Sequence, residues 1–290
     1  MKKLLILSGK GGTGKTTVAA AFIRFSEARA FADCDVDAPN LHLVAGELGN
    51  PEKADFLGSE KAVIDPEKCI GCGKCEALCR FDAIKITDGC YVADEFACEG
   101  CGVCERFCPQ GAVTMQEDVA GEVQLYRNRR IFSTAELKMG RGNSGKLVSE
   151  VKKRLSEAAK NESFAIIDGS PGIGCPVIAS ISGVDMVLIV AEPSVSGISD
   201  MERILKTAAV FETKAVVCVN KWDTSPHNTE TIKRFCSENN VPYIGQIPYD
   251  GQASLAINAG ISIADIDCPA SEALRQIFER VMDMLTGCGD

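Results

Sequence analysis

The chain is short of positive charge. Its 290 residues carry 31 Lys and Arg against 40 Asp and Glu, a formal net charge of −9. A protein that grips nucleic acid needs a basic face to displace phosphate counterions, so no nucleic-acid partner is expected. Long apolar runs are missing too. The first, Leu4 to Leu7, stops at Ser8-Gly9-Lys10, whereas the apolar part of a secretion signal needs about 7–15 residues. No stretch reaches the roughly 18–20 apolar residues of a membrane helix. A cytoplasmic protein without a membrane partner is the expectation. The composition, 46% hydrophobic and 24% charged, argues against disorder and collagen-like structure. At roughly 150 residues per domain, the length allows one large domain or two modest ones.

Cysteine is what the chain has in excess, 15 residues in all. Cytoplasmic thiols stay reduced, so clustered cysteines point to metal, and an odd total suits a disulfide framework poorly. Eight form two matching runs, Cys69-x2-Cys72-x2-Cys75-x3-Cys79 and Cys98-x2-Cys101-x2-Cys104-x3-Cys108-Pro109. The match extends beyond the cysteines, since Gly71 and Gly73 echo Gly100 and Gly102, and Ala83-Ile84 echoes Ala112-Val113. Three cysteines at i, i+3 and i+6 on a glycine-containing loop can wrap one face of a cubane, while the fourth reaches the other cluster. That rule assigns Cys69, Cys72, Cys75 and Cys108 to one 4Fe–4S cluster, and Cys98, Cys101, Cys104 and Cys79 to a second. Zinc is the alternative cargo, but it wants one tetrahedron of four ligands, which two triple runs fit badly.

On these residues, 63–117 resembles the bacterial two-cluster ferredoxins. Arg80 departs from the family, which usually has proline after the fourth cysteine. Of the other seven cysteines, Cys218 lies in Ala215-Val-Val-Cys-Val219 and reads as a core residue of a buried strand. Cys34, Cys90, Cys236, Cys268 and Cys288 have no defensible partner spacing, and Cys175 is taken up below.

Ahead of the cysteines stands Leu4-Leu-Ile-Leu7-Ser-Gly9-Lys10-Gly11-Gly12-Thr13-Gly14-Lys15-Thr16-Thr17. An apolar run without alternation reads as a buried parallel strand. The loop fits G-x4-G-K-[ST], and a helix is expected from Thr17 to about Arg29. Backbone N–H groups of Gly11 to Thr16 can cradle phosphates at the helix N-terminus. Lys15 would reach the terminal phosphates and the Thr16 hydroxyl would take Mg²⁺. Lys10 adds a second lysine, and K-G-G-T-G-K-T-T resembles the deviant Walker A loop of the MinD/ParA/Mrp ATPases, the superfamily of the nitrogenase iron protein. The resemblance implies an ATP-sandwich homodimer with Lys10 reaching the partner's nucleotide. It also implies that Asp35, in Asp33-Cys34-Asp35-Val36-Asp37, orients the attacking water. Asp37 would be a group near Mg²⁺, and Asp33 a structural carboxylate at a strand end.

The nucleotide fold resumes at Phe164-Ala-Ile-Ile-Asp168-Gly-Ser-Pro-Gly172, a strand ending in an acid as in Walker B, with Asp168 expected on Mg²⁺ through water. Strand-like runs at 186–191, 215–219 and 243–247 alternate with helical stretches near 198–211 and 229–239. Such alternation predicts an α/β fold, a doubly wound, mostly parallel sheet of the P-loop NTPase type, with ligands at the carboxyl ends of its strands. By the resemblance, Asn220, Pro248 and Asp250 flank the adenine, and Gly9 and Thr17 complete the nucleotide-binding set. Asn220-Lys221-Trp222-Asp223 also matches the guanine-reading N-K-x-D, so GTP stays open. The domains are expected at 1–62 with 118–290 for the ATPase, and 63–117 for an inserted α+β ferredoxin.

Cys175 falls seven residues after Asp168, where the nitrogenase iron protein has a cluster-holding cysteine. The alternative is a small residue beside Pro176 at a helix start. The stretch Ser271–Leu285 is amphipathic with a mixed polar face, which suits a core helix better than a membrane anchor. Gly140–Lys146 reads as a surface loop and Arg127, Arg129 and Arg130 as a solvated basic patch on a strand. Three functions follow. One is an ATP-gated electron carrier holding two 4Fe–4S clusters with a redox or iron–sulfur partner protein. The second is a cluster-assembly scaffold or carrier. The third is a ParA/MinD-like positioning ATPase with a redox sensor. Eight full ligands favour the first.

Overall fold

A computed structural model describes residues 1–287 of the chain. Cys288 lies outside the described residues. Two compact units are formed, one from 1–53, 123–136 and 144 onward, the other from 54–122 and 137–143.

The first unit grows from strand β1 (Lys2–Leu7), whose apolar run Leu4–Leu7 is wholly buried. A glycine-rich loop leads into helix α1 (Lys15–Ser26), and strand β2 (Ala30–Asp33) follows, also buried throughout. Strand β3 (Glu52–Leu57) carries the chain out of this unit.

The second unit holds β4 (Lys61–Ile64), helix α2 (Lys74–Leu78), β5 (Ile84–Thr87), β6 (Cys90–Ala93), helix α3 (Val103–Arg106) and β7 (Val113–Gln116). β4 pairs antiparallel with β7, and β5 with β6. The two halves repeat one plan: a cysteine loop, a left-handed glycine (Gly73 at φ 72°, Gly102 at φ 71°), then a single helical turn. A β-carbon disfavours that conformation, so glycine fixes where each turn begins. Its small core gathers Ala62, Ala83, Cys98 and Val113.

β8 (Val119–Arg127) and β9 (Ile131–Leu137) follow, joined by three residues as only a hairpin allows. Arg129 and Arg130 therefore sit in the hairpin turn rather than on a strand. Arg127 meets Glu52 at 3.5 Å, and Arg130 donates to the Ala45 carbonyl at 2.8 Å. Helix α4 (Ser144–Ala158) then begins inside the stretch 140–146 that the sequence reads as a surface loop. The alternation continues with β10 (Phe164–Asp168), α5 (Cys175–Ile181), β11 (Met186–Ala191), α6 (Val195–Val210), β12 (Lys214–Asn220), α7 (Pro226–Glu238), β13 (Tyr243–Ile247), α8 (Gly251–Asn258) and α9 (Pro269–Thr286).

The large sheet runs β13-β12-β11-β1-β10-β2-β9-β8-β3. Every pairing from β13 to β9 is parallel. This is an α/β fold with a large, mostly parallel sheet, as the strand–helix alternation predicts. α9 turns Leu274, Ile277, Val281 and Leu285 into the core, with Phe278 edge-on to Phe22 of α1 at 5.2 Å. Among the described residues no helix is long and apolar enough to cross a membrane.

Sequence gives no hint of the part played by Lys152. It is buried on α4, and its ammonium donates to the carbonyls of Ala179, Ser180 and Ser182 at 2.8, 2.6 and 2.5 Å, capping the C-terminal end of α5. A cation suits the negative end of a helix. Burial nevertheless lowers its pKa to about 8.

The aromatic stack of β2, β8 and β9 yields a stability test. Phe132 is fully buried, 4.9 Å from the Phe31 ring and 5.4 Å from Tyr126. Phe132→Ala should cost about 3–5 kcal/mol, read from urea denaturation.

Candidate functional site

Parallel register assembles the site. Asp168 lies level with Ile6 on β1 and with Asp33 on β2, so two carboxylates meet the loop that leaves β1. Lys15, the first residue of α1, places its ammonium 2.7 Å from Asp168 Oδ1 and 3.9 Å from Asp35 Oδ2. Thr16 donates its hydroxyl to Asp168 Oδ2 at 2.7 Å. Burial alone would lower the Lys15 pKa, but Asp168, Asp33 and Asp35 outweigh it and raise it.

Asp33 accepts the backbone N–H groups of Asp35, Asn40 and Leu41 at 3.0, 2.9 and 2.9 Å, which folds the following loop back over the strand end. Burial, reinforced by Asp168, raises its pKa to about 7. Burial likewise raises Asp35 to about 6. A carboxyl that titrates near neutrality and faces a phosphate loop can orient a water and exchange a proton with it.

Above these groups opens a cleft of about 290 Å³. Its walls include Lys10, Gly11, Gly12, Thr13, Gly14, Lys15, Thr16, Thr17 and Asp35 on one side and Asn220, Pro248 and Asp250 on the other. Gly9 is not in the wall; it packs on Asp200, where a β-carbon would collide. Asp37 stands exposed on a turn outside the cleft, and Asp168 lies wholly buried behind Lys15 and Thr16. Lys10 is tied within its own chain to Glu192 at 2.6 Å and to the hydroxyls of Ser194 and Ser196 at 3.3 Å each. No motif in the sequence announced those three partners; they follow β11, which pairs with β1.

Asn220 donates its amide to the Thr13 carbonyl at 2.7 Å, and Lys221 donates to the Gly12 carbonyl at 3.1 Å. Gly14, at φ 92°, lets the Asn220 amide lie where a side chain would stand. Asp223, the acid of the N-K-x-D match, accepts the Tyr249 N–H at 2.7 Å and is not in the cleft wall. Asp250 accepts the N–H groups of Gln252 and Ala270 at 2.9 and 3.4 Å, so it also caps α8. Tyr249, between Pro248 and Asp250, joins the wall, as do Ile263 and Leu274 from segments that carry no nucleotide-binding motif.

The eight paired cysteines line two further clefts, both within the second unit. One is lined by Cys69, Cys72, Cys75 and Cys108. The other is lined by Cys79, Cys98, Cys101 and Cys104. Backbone N–H groups reach the sulfurs, Ala112 to Cys108 Sγ at 3.2 Å and Ala62 to Cys98 Sγ at 3.5 Å. Burial works against the Cys108 thiolate, but N–H groups from Gln110 to Val113 hold its pKa below the usual value. Among the described residues no three His, Cys, Asp or Glu side chains converge to hold a single metal ion. The remaining cysteines behave differently. Burial pushes Cys34 and Cys218 to about 12 and Cys236 to about 11. Cys268 is buried, Cys90 is exposed, and Cys175 is exposed at the first turn of α5.

Comparison with known proteins decides the family. The profile described as CobQ/CobB/MinD/ParA nucleotide binding domain matches residues 4–263. The chain belongs to this family. It is 30% identical to an uncharacterised protein of Methanocaldococcus jannaschii, across 98% of this chain and 97% of that one. It is 22% identical to a protein of the same organism named iron-sulfur cluster carrier protein, across 98% of this chain and 85% of that one. Among solved structures it is similar to the septum site-determining protein MinD complexed with Mg-ADP from Pyrococcus horikoshii. That match has a TM-score of 0.56 and 19% identity, and covers 99% of this chain and 98% of that one. The shared fold is that of a P-loop nucleotide-binding protein of MinD/ParA type.

The raised pKa of Asp35 gives a pH test. Folding disfavours its charged form, so its contribution to stability is full below about pH 4 and is lost as pH rises through about 6. Asp35→Asn should therefore stabilise the nucleotide-free chain by about 1 kcal/mol at neutral pH, after allowance for solvent screening, and by nothing near pH 4. Urea titrations at the two pH values read the difference, and an equal gain at both would contradict the assignment.

Proposed function

We propose that this family member binds and hydrolyses ATP with Mg²⁺ as a homodimer. It carries two 4Fe–4S clusters on the inserted ferredoxin-like segment 63–117, and couples hydrolysis to electron transfer toward a redox or iron–sulfur partner protein. One observation carries the reading. The crossed ligand sets that spacing assigns to two cubanes, three cysteines of one run with the fourth of the other, are the sets that line the two clefts. The same chain presents a phosphate loop with Lys15, Thr16 and Asp168 in mutual contact.

In this reading the backbone of Gly11 to Thr16 and the Lys15 ammonium hold the phosphates. Thr16 and Asp168 hold Mg²⁺, which would neutralise charge on the β- and γ-phosphates. Asp35 orients the water. Asp37, exposed on its turn, joins the Mg²⁺ surroundings only if the loop moves inward. Lys10 leaves Glu192 to meet the nucleotide of the partner subunit. Asn220 and Pro248 border the base, and Asp223, engaged with Tyr249, favours adenine over guanine. The Pyrococcus horikoshii MinD of similar fold is a complex with Mg-ADP, which supports an adenine nucleotide here. Eight cysteines at cluster-ligand spacing suit a reducing compartment such as the cytoplasm.

A second reading, an iron–sulfur cluster carrier, is favoured by the name of relatives that are 22–25% identical. Against it, a single chain supplies full ligation for both clusters, which suits retention rather than transfer.

Lys15→Ala should slow nucleotide turnover at least about 100-fold, as loss of transition-state charge stabilisation does. Iron should stay near about eight per chain, and parallel loss of both would argue against separable modules. The paired experiment is an anaerobic redox titration with and without Mg-ATP, followed by EPR. A shift in potential or spectrum supports gated electron transfer. No shift, together with cluster transfer to an apo-protein, would establish the carrier reading instead.

A further inference from the structure

We propose that the two clusters are electrostatically unequal: the one on Cys69, Cys72, Cys75 and Cys108 takes its electron at the higher potential, and the one on Cys79, Cys98, Cys101 and Cys104 at the lower. This rests on the two clusters of the proposed function and says which of them holds the electron that a partner collects.

The internal repeat acts as its own control. Both runs have the same ligand spacing, and their loop glycines share one backbone conformation, φ 68° and 72° at Gly71 and Gly73 against 72° and 71° at Gly100 and Gly102. What differs is the side chains between the cysteines. Lys74 stands where the second run has Val103, and Ile70 stands where it has Glu99. Lys74 and Ile70 line the first cleft; Val103 and Glu99 line the second. Both exchanges make the first cleft more positive. Reduction adds negative charge, so a neighbouring cation eases it and a neighbouring carboxylate opposes it. The hydrogen bonds to sulfur act in the same sense, since the Ala112 N–H to Cys108 Sγ, at 3.2 Å, is shorter than the Ala62 N–H to Cys98 Sγ, at 3.5 Å.

The other charges nearby do not reverse this. Glu76 and Glu105 occupy equivalent places in the two runs and cancel. Lys85 sits 3.9 Å from Asp94, a matched pair. Lys61, donating to the Cys98 carbonyl, Arg80, following Cys79, and Arg106, standing where the first run has Ala77, oppose the trend, but none of these side chains lines the second cleft. Each cluster accepts one electron from a low-potential one-electron donor, with no bond made and no proton moved. The first electron therefore settles on the cluster of the Lys74 loop. Ile70, 64% exposed beside Cys69, gives that cleft an apolar rim at which a partner can approach.

The test is an anaerobic titration of the full chain with dithionite, monitored by EPR, with iron counted in every sample. The native chain should titrate in two steps. Lys74→Met should lower the upper step alone, and Glu99→Gln should raise the lower step alone. Val103→Lys, which puts a cation beside the second cluster, should raise the lower step and bring the two together. All three positions are exposed, so the fold should tolerate each change. About eight irons per chain with coincident steps, or with the Lys74 variant moving the lower step, would overturn the inequality while leaving the two-cluster reading intact. Absence of bound iron after anaerobic reconstitution would overturn both.

Discussion

The buried contact between Asp168 and Lys15 is the interaction on which the nucleotide unit turns. Neither group can be exposed to water, since Asp168 is fully buried and Lys15 is 5% exposed. Removing one partner of such a pair strands the other, at a cost of about 3–5 kcal/mol. The pair also fixes geometry, because it ties the first residue of α1 to the end of β10 while Thr16 takes the second carboxylate oxygen. Parallel register makes this possible: β10 is held between β1 and β2, and its last residue can meet both the phosphate loop and the Asp33–Asp35 turn. In the proposed function a nucleotide phosphate would compete for the ammonium and a divalent cation for the carboxylate. Binding both would replace one buried pair by two and so keep the charge balance.

This explains what the sequence could and could not announce. The glycine-rich loop, the apolar strand before it and the acid at the end of Phe164–Asp168 are local patterns, each specified within about a dozen residues. The sheet follows from them because consecutive strand–helix units close only as parallel neighbours. The partners of Lys10 are another matter. Glu192, Ser194 and Ser196 are some 180 positions away and meet it only because β11 pairs with β1. Lys152 was equally invisible. A lysine on an amphipathic helix normally points to water, and only the end of α5 gives this one three carbonyls to satisfy. The Asp37 turn, placed near Mg²⁺ by the family resemblance, faces solvent, and Asp33 takes the backbone N–H groups that bend the loop.

The second unit shows a different kind of legibility. Its repeat is written in cysteine and glycine, and both halves follow one backbone plan. The structure draws the unit wider than the cysteine runs, to 54–122 with a return at 137–143. The added segments carry no cysteine. They are recruited by packing, as when Arg141 reaches Glu95 at 2.6 Å and Asp118 at 3.1 Å within that unit. Ligand spacing picks out the inner cysteine loops, while boundaries depend on side chains that no spacing rule reaches.

Cysteine itself is the last step, because one residue type serves at least three physical purposes here. Cys34, Cys218 and Cys236 are packed where burial drives their thiols toward the neutral form, which makes them poor ligands and inert core residues. Among the eight paired cysteines, Cys108 sits where the backbone N–H groups of 110–113 favour charged sulfur, whereas burial raises Cys75 and Cys104 above their usual values. Cys90 and Cys175 stand at the surface without neighbouring ligands among the described residues. Composition alone counts all of these together. Burial and hydrogen bonding separate them, because a thiolate is stable only where something replaces the water it has lost.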